Sequence, residues 1–178
     1  MKTFGVIALI VLTSLFLLPS CGDILDVTKT FTFDHEFHVT SSDQTFQENV
    51  LIDMAVEESL IGDYGSKIKK IEIEEVRYWL TSQLGPENQQ YSEVILNVAN
   101  DDGSDIKNIF SLQNVVLSDL LNNPTFLQMN AQGVQKLSEK IKSPPHKFSF
   151  DLNGNVNETP VDFRMVVELK VKMTANPL

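Results

Sequence analysis

Hydrophobic and polar residues alternate along most of the chain beyond residue 26, with the period of two that is typical of strands with one buried face. The clearest segment is 161–173, in which seven apolar residues alternate with mostly charged ones. Segment 27–39 has the same period, with Phe31, Phe33 and Phe37 on its apolar side. We expect both segments to be long, half-buried strands.

Shorter apolar runs between turn signals predict five further strands, at 45–54, 68–81, 91–99, 106–117 and 146–152. The turn clusters at 41–43 and 100–103 each predict a hairpin formed by the two strands that flank the turn. The cluster at 153–155 predicts a turn before the last strand. In segment 68–81 the apolar phase shifts by one residue near Glu74 and Glu75. Such a shift predicts a β-bulge.

The best helical pattern covers 130–142, and segment 55–65 predicts a short helix or an irregular crossover. Asn130 is a suitable cap for the longer helix. Its apolar side has helical spacing and its lysines suit the carboxyl half of a helix dipole. The apolar residues are Val134, Leu137 and Ile141, and the lysines are Lys136, Lys140 and Lys142.

About seven strands and one clear helix predict a mainly β fold, an antiparallel β-sandwich of immunoglobulin-like architecture with one short helix near 130–142. The comparison covers only the arrangement in layers, because the Cys…Trp…Cys pattern of true immunoglobulin domains is absent.

The first 20 residues have a different composition, with thirteen apolar residues among them. Lys2 gives a basic start, residues 4–18 are uncharged, and the small residue Ser20 precedes Cys21. This order is typical of a secretory signal, and 15 uncharged residues are short for a retained span of about 20. We expect the leader to be cleaved.

The sequence of Leu18, Pro19, Ser20 and Cys21 resembles the lipobox of bacterial lipoproteins, over residues 1–21 only. The resemblance implies cleavage before Cys21, a diacylglycerol thioether on that cysteine and a further acyl chain, such as palmitate, on its amine. The alternative is an ordinary signal in which the chain's single cysteine is incidental. Because Gly22 stands where some lipoproteins carry an inner-membrane retention Asp, the resemblance favours the outer membrane of the cell envelope.

This interpretation divides the chain into a signal peptide at 1–20, a lipidated tether at 21–27 and a single domain at 28–178. The net charge of −10 becomes −11 once the leader with Lys2 is removed. Such a chain repels phosphates, so we expect no nucleic-acid partner. Attachment to the membrane would have to be through the lipid on Cys21.

Two groups of residues resemble parts of metal sites. The three histidines could form a site only if His146 approached His35 or His38, which lie three apart on a strand and point to opposite faces. The loop from Asn100 to Asp105 has oxygen-bearing residues and a glycine, as calcium loops do, but it lacks the final bidentate glutamate. We expect separate histidines and a plain hairpin tip, and calcium binding by the loop remains an open alternative.

Two other groups could carry enzymatic or carbohydrate-binding chemistry. The carboxylates could pair for acid–base work, although a strand's solvent face is expected to be charged. The aromatic residues could form a sugar-binding platform, although neighbours on one strand point to opposite faces. The carboxylates are Glu57, Glu58, Glu72, Glu74 and Glu75, and the aromatic residues are Tyr78, Trp79 and Tyr91.

The sequence therefore predicts a membrane-anchored envelope lipoprotein with a non-catalytic binding, structural or accessory role, without cofactor or metal, and with an envelope protein as its partner. One alternative is a carrier of an apolar or carbohydrate ligand, held inside the sandwich or beneath the helix at 130–142. Another is a hydrolase whose site is assembled from distant residues.

Overall fold

The computed structural model describes residues 26–176, in which two antiparallel sheets pack face to face. Cys21 and the predicted signal peptide lie outside these residues. The strands are β1 Val27–Ser41, β2 Thr45–Asp53, β3 Ile68–Gln83, β4 Gln90–Ala99, β5 Lys107–Val116, β6 Thr125–Phe126, β7 Lys147–Val156 and β8 Val161–Ala175. The helices are α1 Met54–Glu57, α2 Ser59–Tyr64 and α3 Ala131–Lys142, with 3₁₀ turns at Gly65–Lys67 and Leu117–Leu120.

Each sheet has four strands. Sheet 1 has the order β1-β8-β3-β6 and sheet 2 the order β2-β7-β4-β5. The predicted antiparallel β-sandwich is therefore confirmed, with eight strands in a jelly-roll-like arrangement. The strand order differs from that of an immunoglobulin domain, in which the first two strands share one sheet.

The predicted hairpin between the first two strands is wrong. β1 pairs with β8 from Val27↔Ala175 to Ser41↔Val161, whereas β2 pairs with β7 in the other sheet. The turn at 41–43 therefore carries the chain from one sheet to the other. β1 and β8 have 15 residues each, and their full-length pairing satisfies more backbone groups than the nine residues of β2 could.

The two sheets bury one continuous apolar core between them. The alternation in β8 is observed as predicted, and Phe163, Met165, Leu169 and Val171 are inaccessible to solvent. The predicted bulge in β3 is also confirmed, as a register shift against β8 between Ile73 and Glu75. The shift explains how the apolar phase changes while both halves of β3 face the core.

The predicted turn at 153–155 is wrong, because these residues lie within β7 and pair with β2 and β4. A side chain on Gly154 would overlap the carbonyl oxygen of Glu93 and would lie 2.8 Å from Cζ of Phe46. The glycine therefore allows the Glu93 backbone and the Phe46 ring to approach closely inside the sheet. A glycine within a strand can mark such a close contact instead of a turn.

The predicted helix is α3, and the Asn130 side chain caps it by accepting a hydrogen bond of 3.0 Å from the amide of Gln132. α3 contacts β3 of sheet 1 and β5 of sheet 2, so it lies across one open side of the sandwich. Leu137 and Ile141 are buried there. Gly133 allows the close approach, because a methyl group at that position would overlap the carbonyl oxygen of Asn108.

Candidate functional site

A groove of about 430 Å³ lies between α3 and the edge of β3 and is open to solvent. One wall is the stretch 69–73 of β3. The other wall consists of five residues of α3, which are Val134, Gln135, Ser138, Glu139 and Lys142. We call this feature the β3 groove. It lies beside the helix that the alternative of a ligand carrier considered, but it is open rather than enclosed.

The β3 groove exists because β6 is short. β8 pairs with β3 along its whole length, whereas β6 pairs only with Arg77 and Tyr78. After β6 the amide of Leu127 donates to the Val76 carbonyl at 3.0 Å, and the amide of Asn130 donates to Ile109 of β5 at 2.7 Å. The chain thus crosses to sheet 2 before it could pair with residues 69–74.

The ammonium of Lys69 is held at one end of the β3 groove, 2.7 Å from Oδ1 of Asp26. Lys70 lies 2.8 Å from Oε1 of Glu72. Lys142, in contrast, forms no ion pair with any residue from 26 to 176. The groove therefore combines apolar side chains at its base with one cation that has no acidic partner in the described chain.

The loop that resembled a calcium site is organised by a lysine. Nζ of Lys136 donates to Oδ1 of Asn100 at 2.7 Å and to Oδ2 of Asp105 at 2.6 Å. Oδ1 of Asp102 accepts from both the amide and the hydroxyl of Ser104. The hydrogen bond from Lys136, with a second from Lys107, lowers the pKa of Asp105. Among residues 26–176 no three His, Cys, Asp or Glu side chains form a group suited to a metal ion.

The structure does not bring the three histidines together. His35 is half-buried with its ring edge-on to Phe37, 4.8 Å between centroids, and desolvation lowers its pKa while Glu57 opposes the shift. His38 is exposed on the other face, with Nε2 at 3.8 Å from Oδ1 of Asp162. His146 is buried, and its Nδ1 lies 2.8 Å from the carbonyl oxygen of Ile141.

The candidate carboxylates on β3 are paired with lysines across the outer face of sheet 1. Glu72 contacts Lys70 and, at 3.8 Å, Lys172. The hydrogen bond from Lys70 lowers the pKa of Glu72. Lys170 pairs with both Glu74 and Glu75, and its hydrogen bond with Glu75 raises the pKa of its ammonium.

The other two candidate carboxylates lie near the start of the helical crossover. Glu58 is the cap of α2 and accepts a hydrogen bond of 3.2 Å from the Leu60 amide. Glu57 ends α1, and its charge acts on the imidazole of His35. A structural role in the crossover thus accounts for Glu58.

The structure does not bring the three candidate aromatic residues together as a platform, because Tyr78 and Tyr91 are buried while Trp79 lies on the outer face of sheet 1. Tyr91 packs edge-on to Phe163 in the core, 5.5 Å between centroids. Phe126 is 66% exposed and lies next to the Arg77 guanidinium, which is 5.8 Å from its ring centroid. Sequence patterns missed Phe126, because β6 is too short to show a period.

No helix within the described part of the chain is long and apolar enough to cross a membrane. No protein-family model matches the chain, and no curated protein is significantly similar to it.

Three solved structures have a distantly similar arrangement of strands. A chain of Desmodium yellow mottle tymovirus has a TM-score of 0.42 and 10% identity, over 91% of this chain and 88% of that one. A chain of turnip yellow mosaic virus has a TM-score of 0.41 and 9% identity, over 85% of this chain and 95% of that one. A chain of a semi-empty virus-like particle of the Macrobrachium rosenbergii nodavirus has a TM-score of 0.36 and 7% identity, over 88% of this chain and 97% of that one.

Proposed function

We propose that the protein is a lipid-anchored binding protein of the bacterial cell envelope. Its jelly-roll-like domain would be held at the outer membrane by acyl chains on Cys21 and would bind another envelope protein without catalysis. The resemblance of residues 18–21 to a lipobox supports the anchor. Two or three acyl chains would make attachment effectively stable, which one chain alone does not achieve.

The lipobox-like sequence of residues 18–21 carries this proposal. The ion pair between Asp26 and Lys69 indicates which end of the domain would lie nearest the lipid. It fixes the chain, only five residues after Cys21, against the start of β3. A fully extended chain of five residues spans at most about 17 Å. The lipid would therefore hold this end of the sandwich, and the β3 groove that begins at Lys69, close to the membrane surface.

The shape of the β3 groove favours a protein partner over a sequestered small ligand. An apolar carrier buries most of its ligand in an enclosed cavity. Here the space between the sheets is filled by residues such as Phe148, Phe150 and Leu152, none of which is accessible to solvent. The groove outside the core is open and is bordered by charged side chains.

The anchor is tested with the variant Cys21→Ser, expressed in a bacterium with a lipoprotein pathway. We expect the wild type to remain with the membranes at high salt and to incorporate a fatty-acid probe, and the variant to lose both properties. Ser20→Ala is the matched control, because it changes the same motif but keeps both a small residue before the cysteine and the thiol itself. Wild-type protein that is soluble and unlabelled would contradict the proposal.

The binding role is tested by crosslinking in intact cells, followed by purification of the full chain from envelopes. We expect one envelope protein to be recovered with the wild type in constant proportion. Recovery of the monomeric chain alone, under conditions in which a known envelope complex is captured, would contradict the binding role but leave the anchor intact.

A further inference from the structure

The outer face of sheet 1 carries two aromatic side chains beside an arginine. Arg77 and Trp79 are two residues apart on β3, so both point outward. Phe126 of β6 pairs with Arg77 and lies on the same face, where the guanidinium is 5.8 Å from its ring centroid. Trp79 and Phe126 therefore occupy diagonal positions, about 7–8 Å apart. We call Arg77, Trp79, Phe126 and the neighbouring Val166 the Trp79 patch.

Val166 extends the apolar part of the Trp79 patch onto β8. It is the one apolar residue among the outward positions of β8 from 162 to 174, which otherwise hold Asp, Arg, Glu, Lys and Thr. It pairs with Trp79 and is only 7% exposed, so the outward side chains around it cover it. Phe126, in contrast, is 66% exposed. An apolar surface thus runs across three strands of an otherwise polar sheet face.

Both arginines beside this surface are already paired with carboxylates. Arg77 forms an ion pair with Glu168, and Nη1 of Arg164 donates to Oε1 of Glu36 at 2.8 Å. Oε2 of Glu36 accepts from the Thr81 hydroxyl at 2.8 Å. These contacts fix the carboxylates in place. Because a carboxylate has about four lone-pair sites, each can still accept hydrogen bonds from a ligand.

The charges farther out on the same face are mainly negative. Lys170 is shared by Glu74 and Glu75, and Asp34 adds a carboxylate opposite Glu168 in the β1–β8 pairing. An anionic ligand would therefore meet more carboxylates than cations. The charge around the Trp79 patch favours a ligand without charge that offers many hydroxyl groups.

We propose that the Trp79 patch binds a neutral saccharide. This inference goes beyond the proposed function, because it adds a second ligand on a face that the β3 groove does not occupy. A pyranose ring exposes C–H groups on its faces and hydroxyls around its edge. The C–H groups stack on the negative faces of the Trp79 and Phe126 rings. The hydroxyls donate to the lone pairs that Glu36 and Glu168 keep free.

A protein partner fits the same surface less well. A protein interface of standard size covers about 800 Å² on each partner and is poor in charged residues at its centre. Here such an interface would bury the ion pairs of Arg77 and Arg164, and the desolvation of buried ion pairs is costly. A sugar is small enough to cover the rings and can hydrogen-bond to the charged groups at their border.

The test uses the full chain in detergent and a glycan array that carries both neutral and uronic-acid oligosaccharides, with a lectin as positive control. Trp79 is the chain's only tryptophan, so its fluorescence reports directly on the patch. We expect the chain to bind at least one neutral glycan. Titration with the same glycan in solution should change the intensity or the wavelength of the Trp79 emission.

Variants of Phe126 separate stacking from general apolar contact. Phe126→Leu keeps an apolar side chain but removes the flat ring, and we expect binding to weaken about tenfold. Phe126→Tyr keeps the ring and should bind within about twofold of the wild type. Val56→Ala removes an apolar side chain that is 77% exposed in the helical crossover, and it should leave binding unchanged.

Three results would overturn the inference. The first is the absence of any bound neutral glycan while the lectin binds, or binding of uronic-acid glycans alone. The second is binding that Phe126→Leu does not weaken. The third is capture of an envelope protein in cells by a photo-crosslinker in place of Phe126, which would assign the patch to a protein. None of these results depends on the lipid, so the anchor is tested separately.

Discussion

Nζ of Lys136 lies 2.6 Å from Oδ2 of Asp105, so a buried ammonium fastens α3 to the tip of the β4–β5 hairpin. Asp105 adopts a left-handed backbone conformation, with φ of 51°, at the point where the hairpin returns. The helix that forms one wall of the β3 groove is thus held from its opposite side.

Replacing Lys136 by methionine should lower the free energy of unfolding by about 1–2 kcal/mol. The methylene packing is kept, but both hydrogen bonds of a buried ammonium are lost. Urea unfolding measures the difference. Lys140→Met is the control, because this lysine makes no salt bridge with a described residue, and it should change stability by less than about 0.5 kcal/mol. Equal losses in the two variants would contradict the fastening role.

Gly133→Ala should destabilise the protein by about 1–3 kcal/mol, although alanine is the better helix former. The added methyl group would meet the Asn108 carbonyl and Cα of Ile109, which are backbone atoms and cannot move aside cheaply. Thermal unfolding provides the measurement. The neighbouring Gln132→Ala exchanges an exposed side chain and should be neutral or slightly stabilising. A stable Gly133→Ala protein would show that α3 packs less closely than described.

The half-buried His35 should make stability depend on pH just below neutrality. Desolvation lowers its pKa in the folded state below its ordinary value of 6.5. The unfolded chain therefore binds a proton at higher pH than the native chain does. Stability from this group is complete above pH 6.5 and is lost as the pH falls from there towards the folded pKa.

His35→Phe should reduce the pH dependence of the free energy of unfolding between pH 7 and pH 5. Urea titration at several pH values measures this dependence. His38→Phe changes an exposed histidine and should leave the wild-type dependence in place. The carboxylates whose pKa values are lowered, such as Asp102 and Glu72, act only below about pH 4.5, outside this window. A slope that persists in His35→Phe would refute the assignment.

Tyr91→Phe should stabilise the protein by about 1 kcal/mol. The hydroxyl of Tyr91 is buried and has no hydrogen-bond partner among the described residues. Removal of an unsatisfied polar group recovers its desolvation penalty, and the ring contact with Phe163 remains. Calorimetry compares the stability of Tyr91→Phe with that of Tyr64→Phe, in which the hydroxyl of a half-exposed tyrosine is removed instead. A loss of stability in Tyr91→Phe would mean that the hydroxyl is hydrogen-bonded.

The periodicity of the sequence predicted where strands and helices lie better than it predicted which strands pair with each other. The faces of β1 and β8, the bulge after Ile73 and the cap at Asn130 all follow from side-chain spacing over short distances. The pairing of strands does not, because an alternating pattern says which face is buried and not which strand lies alongside. The apparent turn at Gly154 failed for a related reason, since glycine serves both turns and close approaches.

The candidate site was harder to predict from sequence than the fold. The β3 groove is defined by a strand that stops after two residues, and a segment of that length carries no periodic signal. Lys136 was predicted to complement the helix dipole, and only the folded hairpin brings Asn100 and Asp105 to its ammonium. Conversely, the resemblance to a lipobox is local and rests on the four residues 18–21, so it stays a prediction of the sequence alone.

We propose that Cys21 carries the lipid that holds this domain at the membrane. Mass spectrometry of the amino-terminal peptide from membrane-purified protein tests it most directly. We predict that the peptide begins at Cys21 and carries a diacylglycerol thioether with a further acyl chain on its amine. A peptide in which Ser20 still precedes Cys21, or one that begins at Cys21 with a free thiol, would contradict the claim.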